Sequence, residues 1–201
     1  MIARVVLATA NLDKVREIED ALSDLDLEIV PRPPDVPEVD ETGSTLEANA
    51  RLKAEAVCAA TGLPALADDT GLEVDVLGGA PGVFSARYAG NDAGYADNVD
   101  KLVAEMALAK RNARTARFRT VLVLAMPDGA EVVVAGTVEG VIADEPRGDR
   151  GFGYDPVFVP AGGGGRSFAE MGLAEKQRLS HRGRALRALS VRLREAEPPF
   201  S

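Results

Sequence analysis

The sequence predicts an α/β fold in which a mixed central β-sheet is flanked by helices. Short β-branched runs intermix along the 201 residues with segments of helical hydrophobic periodicity. Two consecutive strand-like runs are separated by Pro127-Asp128-Gly129, a hairpin signal that adds an antiparallel part to the sheet. No internal repeat and no Ser-rich linker interrupts the chain, so we expect a single domain over residues 1–201.

The first 61 residues are predicted to form two strands and two helices. The apolar, β-branched run 4–9 predicts a buried strand, and apolar residues at helical spacing over 13–25 predict a helix. Residues 27–30 predict a second strand. Four prolines within 31–37 favour an extended loop, because each fixes φ and removes a donor. A second helix is expected over roughly 45–61.

The middle of the chain predicts one further strand and one further helix. Residues 65–67 are small and apolar, and predict a short buried strand that ends before the acidic pair Asp68-Asp69. The Gly- and Pro-rich stretch 78–82 is expected to be a loop. Helical periodicity returns over 95–108.

The remainder is predicted to contain the hairpin, a long loop and a terminal helix. Strands are expected at 118–126 and 131–138, and a third at 157–159. Residues 144–155 are charged and Gly-rich and too numerous for a tight turn, so they are a candidate site loop. A last helix is expected after Ser180.

The composition excludes several functional classes. With 23 basic and 32 acidic residues the formal net charge is −9, which argues against a protein that coats nucleic acid. One Cys and one His exclude an internal disulfide, Cys-pair metal sites and HExxH zinc chemistry. No apolar run is long enough for a signal peptide or a membrane span. We therefore expect a cytoplasmic protein without membrane or nucleic-acid partners.

The turn between the first strand and the first helix is a candidate phosphate site. Residues Thr9, Ala10, Asn11 and Lys14 lie there, where backbone N–H groups and the positive end of a helix suit an anion. Lysine is uncommon in this chain, with five against eighteen arginines, so a Lys can mark a site that needs a compact charge. The alternative is an ordinary capped helix.

The acidic pair Asp68-Asp69 is a candidate metal site. Two adjacent carboxylates beside apolar residues are unfavourable if buried without partners. Mg²⁺ would relieve this, because it binds carboxylate oxygens and substrate phosphates together. Glu38, Asp40 or Glu41 could add a ligand, and Lys53 could offset the acidic charge or reach a phosphate. The alternative is a turn with Asp caps.

Two further motifs suit a planar, polar ligand. Phe152 and Tyr154 alternate with glycines, so that a ring could stack on them; the alternative is an aromatic anchor that holds a loop to the core. Lys176 is followed by Ser180-His181-Arg182, where His and Arg can donate to carbonyls or phosphates. There the alternative is a capping Ser with a solvated His and Arg.

Together these motifs resemble the inosine triphosphate pyrophosphatase family, which acts on noncanonical purine nucleoside triphosphates. Six segments occur in family order and span most of the chain: Thr9–Glu17, Glu41–Lys53, Ala67–Leu72, Gly78–Tyr88, Gly151–Pro156 and Ser180–Leu186. The resemblance implies an elongated, two-lobed single domain with a cleft between the lobes. It also implies a homodimer and dependence on Mg²⁺.

The resemblance also assigns roles to individual residues. It implies that Asp69 is the proton acceptor that activates water, and that Glu41, Asp68 and Asp69 are the metal ligands. It implies the following substrate-binding residues: Thr9, Ala10, Asn11, Lys14, Lys53, Thr70, Phe152, Gly153, Tyr154, Asp155, Lys176, His181 and Arg182.

The reaction implied is hydrolysis of ITP, dITP and XTP to the monophosphate and pyrophosphate. A pocket of donors would favour the 6-oxo group of these bases over the amino group of adenine, by about 1–3 kcal/mol. One alternative is a related pyrophosphatase specific for pyrimidine or modified nucleotides. The other is a nucleotide sensor without catalysis.

Overall fold

The structure, a computed structural model, describes residues 3–110 and 113–195. They form two compact units. Of the described residues, unit 1 contains those up to Asp69, Thr120–Gly136 and those from Gly183 on, and unit 2 contains those within Thr70–Arg119 and Thr137–Arg182. The expectation of a single domain stays a prediction.

The secondary structure consists of strands, helices and short 3₁₀ turns. The strands are β1 (Ala3–Leu7), β2 (Leu27–Val30), β3 (Ala65–Val74), β4 (Pro81–Gly82), β5 (Thr115–Ala125), β6 (Glu131–Ile142) and β7 (Phe158–Pro160). The helices are α1 (Leu12–Leu22), α2 (Leu46–Thr61), α3 (Tyr95–Met106), α4 (Leu173–Leu179) and α5 (His181–Glu195). The predicted α/β class is confirmed.

The sheet is mixed, as predicted. Its strand order is β2-β1-β3-β5-β6-β7, and β4 pairs with β3 outside this path. Strand β1 runs parallel to β2 and β3, whereas the pairs β3–β4 and β6–β7 are antiparallel. Helices α1 and α2 supply the long connections that parallel neighbours require.

Each unit has its own apolar core. In unit 1, side chains of β1 and β5 pack against α1 and α5, where the predicted inward residues Leu186 and Leu189 are buried. In unit 2, the core includes the following residues: Leu72, Val74, Val99, Leu102, Met106, Phe118, Phe158 and Phe168. Within the two described ranges, no helix is long and apolar enough to cross a membrane.

The length of β3 corrects one sequence prediction. The strand was expected to stop at Ala67, but it continues through the acidic pair to Val74. Asp and Gly are uncommon in strands, but here strand pairing and burial outweigh their low strand propensity. Leu72 and Val74 enter the core of unit 2, and Leu72 is paired with Gly82 of β4. The alternative of a capped turn at Asp68-Asp69 is likewise wrong.

Helix α4 was not predicted from the sequence. It has only seven residues, Leu173–Leu179, which is too short for a hydrophobic period to be evident. It matters because it carries Lys176, which is buried. The following helix α5 begins at His181, directly after Ser180 as expected.

Candidate functional site

Five charged side chains predicted for the site lie together in unit 1, and we call them the carboxylate–lysine cluster. They come from α1, the loop before α2, α2 itself and the middle of β3. The members are Lys14, Glu41, Lys53, Asp68 and Asp69. The resemblance implied that all five residues belong to one site, and the following contacts show how they lie together.

Two lysines hold the three carboxylates. The Lys53 ammonium lies 2.8 Å from Oε1 of Glu41 and 3.2 Å from Oδ1 of Asp69. The Lys14 ammonium lies 3.1 Å from Oδ1 of Asp68. Both aspartates are buried, with 2% and 5% of their surface exposed. The inward-facing charges on β3 are therefore compensated by helices on the same unit.

Burial and the neighbouring opposite charges shift the pKa values of Asp69 and Lys53 in opposite directions. Desolvation raises the pKa of Asp69, and the attraction of Lys53 offsets only part of that effect. For Lys53, desolvation lowers the pKa, but the combined attraction of Asp69, Asp68 and Glu41 outweighs it and the pKa is raised. Lys53 therefore stays charged near neutral pH.

The donor chemistry of the cluster fits a hard divalent cation. Glu41, Asp68 and Asp69 offer oxygen ligands, and their three formal negative charges exceed the two positive charges of the lysines. Over residues 3–110 and 113–195, no three His, Cys, Asp or Glu side chains stand in a metal-holding arrangement. In this structure the three carboxylates contact the ammonium groups of the two lysines, which hold the carboxylates near one another. Carboxylates are ligands of the type that Mg²⁺ binds.

The turn before α1 corrects the expectation of free backbone donors. Asn11 caps the helix, and its Oδ1 accepts from the N–H groups of Asp13 and Lys14 at 3.0 and 3.2 Å. The Thr9 hydroxyl accepts from the N–H of Asn11 at 3.1 Å. The turn is thus a capped helix start, and phosphate binding by Thr9, Ala10, Asn11 and Lys14 stays a prediction.

Asn49 is a site residue that sequence reasoning missed. It lies on α2 with none of its surface exposed and donates from Nδ2 to Oδ2 of Asp69 at 3.3 Å. A usable signal was present, because Asn49 and Lys53 are four residues apart and share the helix face of Leu46 and Val57.

A second group of predicted residues lies in unit 2, and we call it the aromatic–cation cluster. Its centre is the half-buried ring of Phe152. The Lys176 ammonium lies 4.7 Å from the ring centroid, and the Arg182 guanidinium lies 5.4 Å from it. Tyr95 approaches the same ring at 5.8 Å. A ring flanked by two cations suits an electron-rich planar ligand with carbonyl acceptors.

Asp155 and Lys176 form a buried ion pair at the base of this cluster. Oδ2 of Asp155 lies 2.5 Å from the Lys176 ammonium and also accepts from the N–H of Phe152 at 2.8 Å. Gly151 has φ +70°, and a Cβ there would lie 2.0 Å from the same oxygen. One carboxylate therefore sets both the loop conformation and the position of the lysine.

Tyr154 is an anchor for this loop. Its ring is buried in the core of unit 2, and its hydroxyl donates to the carbonyl of Ser85 at 2.9 Å. Burial raises the pKa of Tyr154. This contact matches the anchoring alternative for Tyr154, and stacking of a ligand on Phe152 stays a prediction. Gly153, with φ +61°, makes the bend between the two aromatic residues.

His181 and Arg182 are both buried, so the alternative of a solvated pair is wrong. The His181 ring stacks on Phe118, with centroids 4.5 Å apart and planes 17° apart. Nη2 of Arg182 donates to the Thr70 hydroxyl at 3.2 Å. Thr70, Arg182 and Phe152 thus form one connected part of unit 2. Substrate binding by these residues stays a prediction.

The chain is similar in sequence to known proteins over most of its length. The Ham1 family model matches residues 5–192. A dITP/XTP pyrophosphatase of Thermus thermophilus is 52% identical over 98% of this chain and 94% of its own length. One of Symbiobacterium thermophilum is 51% identical over 94% of both chains.

Solved structures resemble the whole fold. A HAM1 protein from Coxiella burnetii superposes with a TM-score of 0.87 at 44% identity, over 96% of this chain and 100% of that one. The Ham1 protein of Staphylococcus aureus has a TM-score of 0.83 at 36% identity, over 95% of this chain and 98% of its own.

Proposed function

We propose that this chain, which belongs to the Ham1 family, hydrolyses noncanonical purine nucleoside triphosphates (ITP, dITP and XTP) to the monophosphate and pyrophosphate. The observation that carries the proposal is the carboxylate–lysine cluster, in which a buried Asp69 lies beside Lys53 and Glu41. The two relatives that are about half identical to this chain and are named dITP/XTP pyrophosphatases support it.

Asp69 is the proposed general base. Cleavage between the α and β phosphates requires a water molecule that is oriented and deprotonated as it attacks. Asp69 can accept that proton, and Lys53 and Asn49 hold its two carboxylate oxygens. Burial of the carboxylate keeps bulk water from competing for the same position.

Lys14 and Lys53 are proposed to bind phosphate oxygens. In the structure each is held by carboxylates, Lys14 by Asp68 and Lys53 by Glu41 and Asp69. A triphosphate is a stronger polyanion than any one of these partners, so the ammonium groups can exchange carboxylate oxygens for phosphate oxygens. The freed carboxylates are then available to a cation.

We assign that cation to Mg²⁺, with Glu41, Asp68 and Asp69 as the residues that would hold it. Bound there, it would neutralise phosphate charge during the displacement. The oxygen-only donor set is the type that Mg²⁺ prefers. Pyrophosphate release that persists after exhaustive removal of divalent cations would contradict this assignment.

The aromatic–cation cluster is proposed to bind the base. Phe152 offers a stacking face, and Lys176 and Arg182 offer donors but no acceptors. Hypoxanthine and xanthine present a 6-oxo acceptor to such donors, whereas adenine presents an amino donor. The mismatch with adenine leaves polar groups unpaired, which disfavours it by about 1–3 kcal/mol.

One assay tests the substrate class. Pyrophosphate release is measured for ITP, dITP, XTP, ATP, GTP and dTTP, with and without Mg²⁺. The expected result is turnover of the first three with Mg²⁺ and little turnover of the others. Preferred hydrolysis of a pyrimidine triphosphate, or tight binding without hydrolysis, would replace the proposal by one of the two alternatives given above.

Assembly and location stay predictions. The resemblance implies a homodimer, and the composition implies a cytoplasmic protein that needs neither nucleic acid nor membrane as a partner. Light scattering at micromolar concentration measures the mass of the assembly directly against the 21.1 kDa of one chain.

A further inference from the structure

The buried amide of Asn49 joins two segments of the carboxylate–lysine cluster. Its Oδ1 accepts from the backbone N–H of Gly43 at 2.8 Å, and its Nδ2 donates to Oδ2 of Asp69 at 3.3 Å. The orientation of the amide is determined by these partners, because a backbone N–H can only donate. The NH₂ group must therefore face Asp69. An amide with no exposed surface is stable only if it is hydrogen-bonded in this way.

The same two segments are joined a second time by Lys53. Its ammonium contacts Glu41, two residues before Gly43, and also Oδ1 of Asp69. Lys53 lies one helical turn after Asn49, so both side chains leave the same face of α2. Each oxygen of Asp69 is thus held by one of the two residues. The bridge through Asn49 is neutral, whereas the bridge through Lys53 carries a charge that a phosphate can recruit.

Gly43 is shaped to fit this bridge. A Cβ on Gly43 would lie 2.6 Å from Oδ1 of Asn49 and 2.8 Å from Cβ of Ala48. Contacts this short do not occur in real side chains, so the backbone can approach the start of α2 only because residue 43 is glycine. The loop that carries Glu41 is therefore held against the helix by close packing and one hydrogen bond.

We propose that Asn49 is a positioning residue, which holds the Glu41 loop and the Asp69 carboxylate in fixed register while Lys53 is drawn toward the substrate. This inference rests on the proposed function, because it gives Asn49 its role through Asp69. Asn49 itself contacts neither the nucleotide nor the phosphates in this scheme. Its loss should affect the chemical step more than substrate affinity.

The test compares two buried asparagines. Asn49→Asp keeps the acceptor for Gly43, but it replaces the donor to Asp69 by a carboxylate oxygen that repels Asp69. Asn98 on α3 is the matched control: it is 3% exposed, its Oδ1 accepts from the N–H of Ala89 at 2.8 Å, and its Nδ2 donates to the carbonyl of Ala86 at 3.1 Å. Both substitutions replace a buried amide by a carboxyl group, so both are expected to lower Tm.

Only Asn49→Asp is expected to lower kcat. The lost hydrogen bond to a charged group corresponds to about 10- to 100-fold in kcat for pyrophosphate release, with KM little changed. Asn98→Asp should retain the kcat of the wild-type chain. An unchanged kcat in Asn49→Asp, or an equal loss in both variants, would overturn the inference.

Amide exchange at Gly43 supplies a readout that does not depend on activity. Asn49→Ala removes the acceptor and should accelerate exchange of the Gly43 N–H, whereas Asn49→Asp should leave it protected. Unaltered protection in Asn49→Ala contradicts the bridge. A wild-type chain that releases no pyrophosphate from any triphosphate overturns the proposed function instead, and the exchange experiment still tests the bridge.

A second variant covers the case in which Asn49→Asp does not fold. Gly43→Ala approaches the same bridge from its other end, since the added methyl group would displace the loop from Asn49. We expect it to lower kcat without touching any charged member of the cluster. A Gly43→Ala chain with wild-type kcat would overturn the inference.

Discussion

Asp155→Asn tests whether the ion pair in the aromatic–cation cluster is as buried as the structure indicates. The substitution keeps the shape of the side chain and an acceptor for the N–H of Phe152, so it removes only the charge opposite Lys176. The Lys176 side chain is 5% exposed and that of Asp155 is 4% exposed, so water cannot replace the lost partner. The buried Lys176 ammonium then faces a neutral amide instead of a carboxylate.

The expected loss of stability follows from that burial. Removal of one member of a buried ion pair typically destabilises a protein by about 3–5 kcal/mol. For a chain of this length, each kcal/mol corresponds to a fall of about 2–4 °C in Tm, which gives a total of about 6–20 °C. Inosine triphosphate should also bind more weakly, because Lys176 is no longer held over Phe152.

Calorimetry and urea unfolding of four chains measure this effect: the wild type, Asp155→Asn, Lys176→Met and the double variant. The double variant should regain part of the loss, since it carries no unpaired charge. Glu28→Gln is the control, because the Arg4–Glu28 pair is about half exposed and should contribute less than about 1 kcal/mol. A fall in Tm for Asp155→Asn no larger than that of the control would refute the reasoning.

Three further predictions concern the base, the aromatic ring and an acid-sensitive ion pair. Asp69→Asn should lower kcat by at least about 100-fold in the pyrophosphate-release assay, and near-normal turnover would exclude Asp69 as the general base. Phe152→Ala should weaken calorimetric binding of inosine triphosphate more than that of pyrophosphate, whereas equal effects would argue against stacking. The hydrogen bonds from Arg51 hold the pKa of Glu131 below its ordinary value of 4.5. That contribution to stability is complete above pH 4.5 and is lost as the pH falls through the depressed pKa, so the difference in unfolding free energy between wild type and Glu131→Gln should shrink in acid. A difference that stays constant to pH 2 would contradict this assignment.

The sequence predicted well those elements whose apolar pattern is not interrupted by polar residues or glycine. Helix α2 was expected over 45–61 and is observed over Leu46–Thr61, and β2 was placed at its observed bounds. Local sequence preference did not predict the full length of β3. Asp-Asp-Thr-Gly interrupts its apolar pattern, and only partners distant in sequence keep the chain extended. A single sequence contains no information about those partners.

In the candidate site, the sequence indicated the charged residues but not how deeply each side chain is buried. The sequence pointed to the charged members of both clusters by three signals: Asp68 and Asp69 follow an apolar strand, lysine is scarce, and the family resemblance singled out Glu41. Burial was harder to foresee: the alternative of a solvated His181 is wrong, because its ring is buried and stacks on Phe118. Asn49 lacked a charge to mark it, and its role follows from the hydrogen bonds that the fold completes.

Three of the five lysines lie beside carboxylates in the two clusters. Lys14, Lys53 and Lys176 are paired with carboxylates and largely withdrawn from solvent, whereas Lys101 is 41% exposed along its side chain. An ammonium on a flexible stem can leave a carboxylate for a phosphate oxygen, while the planar fork of arginine favours a fixed bidentate partner. The exchange proposed for Lys14 and Lys53, from carboxylate to phosphate oxygens, therefore favours lysine at those two positions. The net charge of −9 repels an anionic ligand at long range, but salt screens that repulsion beyond about 10 Å.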